Sequence, residues 1–222
     1  FKNKITIVGG LGHVGLPLAF SLASKKFDVT SIDINKEKIR KIQKKILPFK
    51  EKGLLKLIKK QSKMKIKFTD DYNFIKSSNV IFITLGTPID EYFNPNFANF
   101  FNNFEKIIPY LKNGQIIILR STVYPGTTRK ILNILKKKKL NIGIAFCPER
   151  ISQGNGIKEL KNLPQIISAS NIKTYKTCEK IFKSLTKNII KTDFEEAEVT
   201  KLFCNTWRYL KFAIANQFYT IC

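Results

Sequence analysis

The residues best placed to do chemistry begin ten positions into the chain. Gly10-Leu11-Gly12-His13-Val14-Gly15 has the spacing G-x-G-x-x-G. Lys4–Gly9 (KITIVG) before it reads as a short buried strand, and an apolar-periodic helix is predicted from about His13 to Ser24. Glycines in that setting serve phosphates: Gly10 permits a tight turn, Gly12 lets the backbone approach a pyrophosphate, and Gly15 lets helix pack on strand. The helix N-terminus adds amide donors and partial positive charge. Asp33 lies 23 residues beyond Gly10, at the end of a second strand predicted over Asp28–Ile34. A carboxylate there accepts from adenosine ribose hydroxyls and repels a 2′-phosphate, which favours NAD over NADP. Lys38, a nearby cation, softens that preference. His13 and Val14 complete the predicted cofactor-binding set. His13 is the only histidine and reads as a loop residue at the site mouth rather than a catalytic acid.

Three further turns follow predicted strands. Asn79–Leu85 runs into Gly86-Thr87-Pro88, Gln115–Arg120 into Ser-Thr-Val-Tyr-Pro-Gly-Thr-Thr (121–128), and Asn141–Phe146 into Cys147-Pro148-Glu149-Arg150. Carboxyl ends of strands are where doubly wound sheets bind ligands. The turns offer the hydroxyls of Thr87 and Thr122, the carboxylate of Glu149 and the guanidinium of Arg150. Lys201 and Asn205, at i and i+4, share a helix face. An ammonium and an amide there can converge on one developing negative charge. Each residue also has a plain structural reading: Thr122 as a turn cap, Thr87-Pro88 as a simple turn, Glu149 as a surface acid, Lys201 and Asn205 as an exposed helix face. Trp207, Tyr209 and Phe212 read as packing residues.

The elements that must position these groups alternate in type. A helix is predicted over Asn35–Ile46 with Asn35 as its cap, a Lys-rich helical segment over about Glu51–Gln61, and a strand over Lys65–Phe68. An Asn/Phe-rich loop, Asp90–Asn103, enters a helix ending near Leu111, and another helix runs to about Lys138. After Cys147 come a polar loop, a strand over Gln165–Ser168, a helix near Ile172–Ser184 and a short strand over Asn188–Lys191. The strands are near-continuous apolar runs, the pattern of a parallel sheet covered on both faces. The fold class is therefore α/β, a Rossmann-type doubly wound sheet over residues 1–192. Residues 193–222 contain no Pro or Gly and are predicted to start a long central helix of about 45 Å, suited to a dimer or interdomain contact.

Composition narrows the partners. Of 222 residues, 43% are hydrophobic, enough for a core and too many for wholesale disorder. No apolar run reaches the roughly 18 residues of a membrane span. The net charge of +24 points first to nucleic acid, but 35 of the 40 basic residues are Lys and five are Arg. Lys excess alongside 32 Ile, 18 Asn and 18 Phe reads as A/T-rich codon drift, so neither nucleic acid nor membrane is an expected partner. Four scattered cysteines and one histidine make no metal site or disulfide framework, which suits the cytoplasm. Phe1 in place of Met leaves the true N-terminus open.

These turns, in this order, with Glu195-Glu196-Ala197-Glu198-Val199-Thr200-Lys201 and Asn205-Thr206-Trp207-Arg208-Tyr209, resemble the UDP-glucose/GDP-mannose dehydrogenase family over nearly the whole chain. The variants S-T-V-Y-P-G-T-T, F-C-P-E-R-I and N-T-W-R-Y are most similar to the branch acting on UDP-N-acetylated hexosamines. The resemblance implies that the C6 alcohol of a UDP-sugar, UDP-N-acetyl-mannosamine or UDP-N-acetyl-glucosamine, becomes a carboxylate with two NAD⁺. A cysteine holds the aldehyde as a thiohemiacetal, then as a thioester that water hydrolyses. Thr87 then contacts the cofactor, and Thr122 holds a water or cofactor group at the reacting carbon. Glu149 helps activate the water, Lys201 and Asn205 stabilise the oxyanion, and Arg150 binds an anionic part of the substrate. The resemblance further implies a homodimer through the 193–222 helix and a product used in surface polysaccharide synthesis.

Two departures stand out. Gln153 occupies the place of a second acid typical of members acting on UDP-glucose. The family's nucleophilic cysteine lies in a Gly-rich loop after the long helix, and neither Cys147, Cys178, Cys204 nor Cys222 has that context. The expected nucleophile and UDP-gripping domain therefore lie beyond this chain. UDP-glucose oxidation, another β-hydroxyacid-type dehydrogenase, and an inactive NAD-binding remnant stay open as alternatives.

Overall fold

Among the described residues the apolar runs become eight strands: β1 Lys4–Val8, β2 Asp28–Ile32, β3 Ile66–Thr69, β4 Val80–Ile83, β5 Ile116–Leu119, β6 Gly143–Phe146, β7 Gln165–Ala169 and β8 Ile189–Lys191. The computed structural model describes residues 4–87, 91 and 97–222. The strands form one sheet in the order β3-β2-β1-β4-β5-β6-β7-β8. Every pairing is parallel except β6 with β7. The expected doubly wound sheet is therefore present, with one antiparallel junction. Helices α1 (Gly15–Ser24), α2 (Lys36–Gln43), α3 (Leu54–Lys59), α4 (Phe97–Glu105), α5 (Thr127–Lys137), α6 (Gly156–Asn162), α7 (Ile172–Lys183) and α8 (Phe194–Ile221) complete the chain.

Side-chain alternation explains why the strands lack a polar face. Ile81, Ile83, Ile117 and Leu119 enter one core layer, with Phe100 and Phe104 of α4 and Ile131 and Leu135 of α5. Val80, Phe82, Ile116 and Ile118 enter the other, with Leu18 and Leu22 of α1 and Ile181 and Phe182 of α7. Both faces are buried, so a period of two gives no polar alternation. The register fixes the functional edge. Val8 pairs with Ile32 and with Ile83, so Gly9, Asp33 and Thr84 emerge side by side.

Several local features depart from the sequence reading. Strands β1, β2, β4 and β5 end a residue or two earlier than predicted, which puts Asp33 just past β2. A 3₁₀ turn, Tyr72–Ser77, links β3 to β4. The segment read as a polar loop after Cys147 contains α6. Its Gly154-Asn155-Gly156 start hides it, and tertiary contacts hold it. Ile157 and Leu160 are buried, Glu51 accepts from the Gly154 and Ile157 amides, and Ser152 Oγ donates to Glu159. Pro88 and residues 89, 90 and 92–96 lie outside the described residues. From Phe97 the loop predicted over Asp90–Asn103 is instead helix α4, because Phe100 and Phe104, at i and i+4, bury one of its faces; it ends at Glu105, and a 3₁₀ turn, Ile108–Tyr110, leads to Leu111.

Helix α8 starts with a capping box between Asp193 and Glu196. Phe194 and Ala197 join the core, while Trp207, Tyr209 and Phe212 are 60–74% exposed rather than packed within this chain. No helix among the described residues is long and apolar enough to cross a membrane.

Candidate active site

The glycine loop divides its labour differently from the sequence reading. The tight turn falls at Gly9, with φ +76°, and not at Gly10. The Gly9 and Gly10 amides both donate to the Ile32 carbonyl, each at 2.9 Å. Gly10 is needed for packing, because a Cβ there would lie 2.1 Å from Ser31 Oγ. Gly15 keeps α1 against the loop, where a Cβ would come within 2.6 Å of Gly10 Cα. A Cβ on Gly12 would meet only the Gly9 carbonyl at 3.5 Å, so that side of the backbone is open to a ligand.

Asp33 reaches back to this loop. Its Oδ2 accepts from the Leu11 amide at 3.0 Å and its Oδ1 from the Asn35 amide at 3.0 Å. Asn35 in turn caps α2 by accepting from the Lys38 amide at 2.9 Å. Thr84 Oγ1 donates to the Val8 and Gly9 carbonyls at 2.8 and 3.0 Å, pinning β4 to the turn. Gly9, Asp33 and Thr84 enclose a cleft of about 270 Å³ with Gly12, Ile34, Tyr72, Leu85, Gly86 and Asn103. Burial, then the Asp33 carboxylate, push the Tyr72 hydroxyl above its ordinary range. An open glycine backbone at a helix N-terminus, an acid and a small apolar-walled cleft fit the adenosine diphosphate end of NAD.

A second cleft of about 390 Å³ opens on the other flank of the loop. His13, Val14, Ile151, Gln153, Asn205, Arg208, Tyr209 and Phe212 line it. His13 is exposed and its ring lies 4.0 Å from that of Phe49. Asn205 thus faces the glycine loop. Lys201, one turn earlier on α8, is only 8% exposed and donates to the Glu149 carbonyl. Burial, then the cations of Arg208 and Arg120, lower its pKa to about 8. Arg208 Nη2 donates to the Arg150 carbonyl at 3.0 Å. Residues 201, 205 and 208 share one helix face, and that face grips the turn after β6.

Glu149 is a buried acid. Its Oε2 accepts from Arg120 Nη2, and its Oε1 from the Arg150 and Ile151 amides at 2.9 and 3.1 Å. Arg120, at the end of β5, is fully buried, and burial lowers its pKa to about 10. Arg150 is half-buried and donates through Nη2 to the Pro164 carbonyl. Thr87 and Thr122 are half-buried just beyond β4 and β5, on the same sheet edge. Cys147 is fully buried. Burial and the adjacent Cys178 thiol raise its pKa well above the usual range, which suits packing and not nucleophilic attack. Among the described residues, no cluster of three His, Cys, Asp or Glu could hold a metal ion.

Sequence reasoning assigned no role to four residues that build this region. Arg120 pairs with Glu149, Gln165 holds Arg120 and the Pro148 carbonyl, and Arg208 holds the same turn from α8. Glu198 is fully buried and accepts from the Gly126 amide at 2.6 Å and from the Thr128 amide and hydroxyl at 2.8 and 2.5 Å. It caps α5 from another helix, at a site whose N-cap residue is a glycine with φ +90°. A glycine cap is the one sequence signal that an outside acceptor is required.

Comparison with known proteins places this arrangement. Residues 3–186 match the profile of the UDP-glucose/GDP-mannose dehydrogenase family, NAD binding domain. The UDP-N-acetyl-D-mannosamine dehydrogenase of Methanococcus maripaludis is 34% identical over 99% of this chain and 51% of its own length. The UDP-glucose 6-dehydrogenase of Rickettsia bellii is 30% identical over 99% of this chain and 52% of its own length. The structure of a UDP-D-ManNAc dehydrogenase from Pyrococcus horikoshii superposes with a TM-score of 0.89 at 32% identity, covering 98% of this chain and 53% of that one. The chain thus spans about half the length of the curated relatives it matches.

Proposed function

Since the chain belongs to the UDP-glucose/GDP-mannose dehydrogenase family and carries its NAD-binding domain, we propose that the whole protein oxidises the C6 alcohol of a UDP-N-acetylated hexosamine to the carboxylate. UDP-N-acetyl-mannosamine is the first candidate substrate. NAD supplies the hydride acceptor, and Gly10, Gly12, His13, Val14, Gly15, Asp33, Lys38, Thr87 and Thr122 are the residues proposed to hold it. The observation that carries the reading is the convergence of α8 on the turn after β6. Lys201 is tied to Glu149, while Asn205 lines the cleft beside the glycine loop.

The side chains suit the roles. Lys201 and Asn205 bring an ammonium and an amide to one face, where charge developing on a C6 oxygen would be stabilised. A pKa of about 8 leaves Lys201 mostly protonated at neutral pH yet easily discharged. Glu149 has three of its roughly four acceptor positions filled, and the remaining one on Oε2 can hold a water. A water held there is oriented for attack on a thioester. Thr122 adds a hydroxyl on the same edge, and Arg150 a cation for an anionic part of the substrate.

Beyond Lys201, Phe203, Trp207, Leu210, Ile214, Phe218 and Ile221 leave an apolar stripe 49–72% exposed along α8. That stripe supports pairing with a second copy. Four unbridged cysteines suit a reducing cytoplasm, and the uronate product suits surface polysaccharide synthesis. The Rickettsia relative favours a second reading, UDP-glucose oxidation, against which Gln153 stands where that branch carries an acid. Lys201→Ala in the whole protein tests the site. Substrate-dependent NADH formation should fall about 100-fold or more, and an unchanged rate would remove the oxyanion role.

A further inference from the structure

The fully buried Arg120 lies outside the roles assigned above, yet it touches Glu149 directly. Arg120 is 1% exposed, Glu149 5% and Gln165 7%. Arg120 Nη2 donates to Glu149 Oε2 and Nη1 donates to Gln165 Oε1 at 3.0 Å. Gln165 is held in turn, its Nε2 donating to the carbonyls of Ile166 at 2.8 Å and Pro148 at 3.3 Å. The Phe182 ring roofs the guanidinium, 5.1 Å from its central carbon. Among the described residues, Arg120 Nε finds no acceptor.

Such an arrangement is costly as a stabilising device. Burying a guanidinium and a carboxylate loses solvation that their attraction recovers only with good geometry, and the orphaned Nε adds to the cost. Apolar residues would pack β5 against β7 more cheaply. The fork geometry shows what the arginine does that lysine could not. One planar group spans two acceptors, Glu149 in the turn after β6 and Gln165 at the start of β7, and so fixes the angle of the carboxylate. The chain is sparing with arginine, using five among forty basic residues, and one of the five lies here.

We propose that Arg120 is the positioning residue for Glu149: with Gln165 it locks the carboxylate so that its one open acceptor position points at the reacting centre. This rests on the reading of Glu149 as the water-holding acid. Arg120 touches neither substrate nor cofactor in this role. The other charges around Glu149 are Lys201, on its carbonyl, and Arg208, both from α8, and Arg150 within its own turn. The Cys147 thiol lies beside Arg120. None of these cations reaches Glu149 Oε2, so removing Arg120 leaves that oxygen unheld.

The test is a double-mutant cycle in the whole protein, with NAD⁺ and the UDP-sugar it oxidises. Arg120→Lys should lower kcat about 10- to 100-fold while leaving KM for both substrates within about twofold. Glu149→Gln should lower kcat further. In the Glu149→Gln background, adding Arg120→Lys should change kcat by less than about twofold, because the group it positions is gone. Losses that multiply would overturn the positioning role and leave the Glu149 reading standing. Full activity of Glu149→Gln would overturn both. Should Arg120→Lys not fold, judged by NAD binding and a cooperative melt, Gln165→Leu takes its place. It frees Nη1 and leaves the ion pair, so it should lower kcat about 3- to 10-fold, again only while Glu149 is present. A Gln165→Leu loss that persists in the Glu149→Gln background overturns the proposal.

Discussion

Replacing Asp33 by Asn separates two jobs that one carboxylate performs. Each oxygen of Asp33 accepts from a backbone amide, Leu11 on one side and Asn35 on the other, both at 3.0 Å. Asparagine keeps the shape but has one acceptor oxygen, so its amide nitrogen must face one of the two N–H groups. Losing a hydrogen bond to a charged acceptor costs about 2 kcal/mol, which for a chain of this size lowers Tm by roughly 4–8 °C. The second job is recognition. If the ribose hydroxyls donate to this carboxylate, a neutral acceptor costs about 1 kcal/mol for each, or about 30-fold in NAD affinity. A 2′-phosphate would no longer meet a negative charge, a relief of about 1–3 kcal/mol at a separation near 5 Å. NADP binding should therefore improve about tenfold while NAD binding weakens. Calorimetric titration of the purified chain with NAD⁺ and NADP⁺, beside a thermal melt, measures both jobs. Unchanged NAD and NADP affinities would place the ribose elsewhere, and an unchanged Tm would refute the two-amide anchor.

Glu198→Ala should be the more destabilising change, about 3–5 kcal/mol, since it strands three buried donors at the start of α5; a Tm drop on the order of 10 °C checks it, and a drop under about 2 °C would contradict it. Lys201 predicts a pH effect of definite sign. Its pKa falls from 10.5 unfolded to about 8 folded, so the penalty of burying the charge is complete below pH 8. Stability should rise by up to about 3 kcal/mol between pH 8 and 10.5, as the folded state sheds a proton the unfolded state still holds. Denaturant melts of Lys201→Met should lack that rise, and oxidation by the parent protein should decline as pH rises through about 8. Trp207→Glu with Leu210→Glu, both on the exposed stripe of α8, should turn a dimer into a monomer in light scattering, with NAD affinity within about twofold of the parent.

Where local chemistry and periodicity coincide, the sequence was readable. The strand before the glycine loop, the Asn35 cap, the position of Asp33 and the shared face of Lys201 and Asn205 all follow from spacing. What escaped was set by distant partners. The tight turn falls at Gly9, and Gly10 is kept by packing instead, because Ser31, on a neighbouring strand, fills the space where a Gly10 Cβ would sit. Helix α6 depends on Glu51, about a hundred positions earlier in the chain. Arg120 read as the end of a strand and Glu198 as one acid among several. Only folding brings the first against Glu149 and the second onto the amides of α5. Trp207 and its neighbours show the converse case, an apolar helix pattern that stays exposed among the described residues.

The central claim is that this NAD-binding domain serves the C6 oxidation of a UDP-N-acetylated sugar. The most direct test incubates the whole protein with NAD⁺ and, separately, UDP-N-acetyl-mannosamine, UDP-N-acetyl-glucosamine and UDP-glucose, following NADH and the sugar product together. The account predicts uronate formation with two NADH per sugar, fastest with an N-acetylated substrate and lost in Lys201→Ala. Saturable NAD binding with no NADH from any of the three would contradict it.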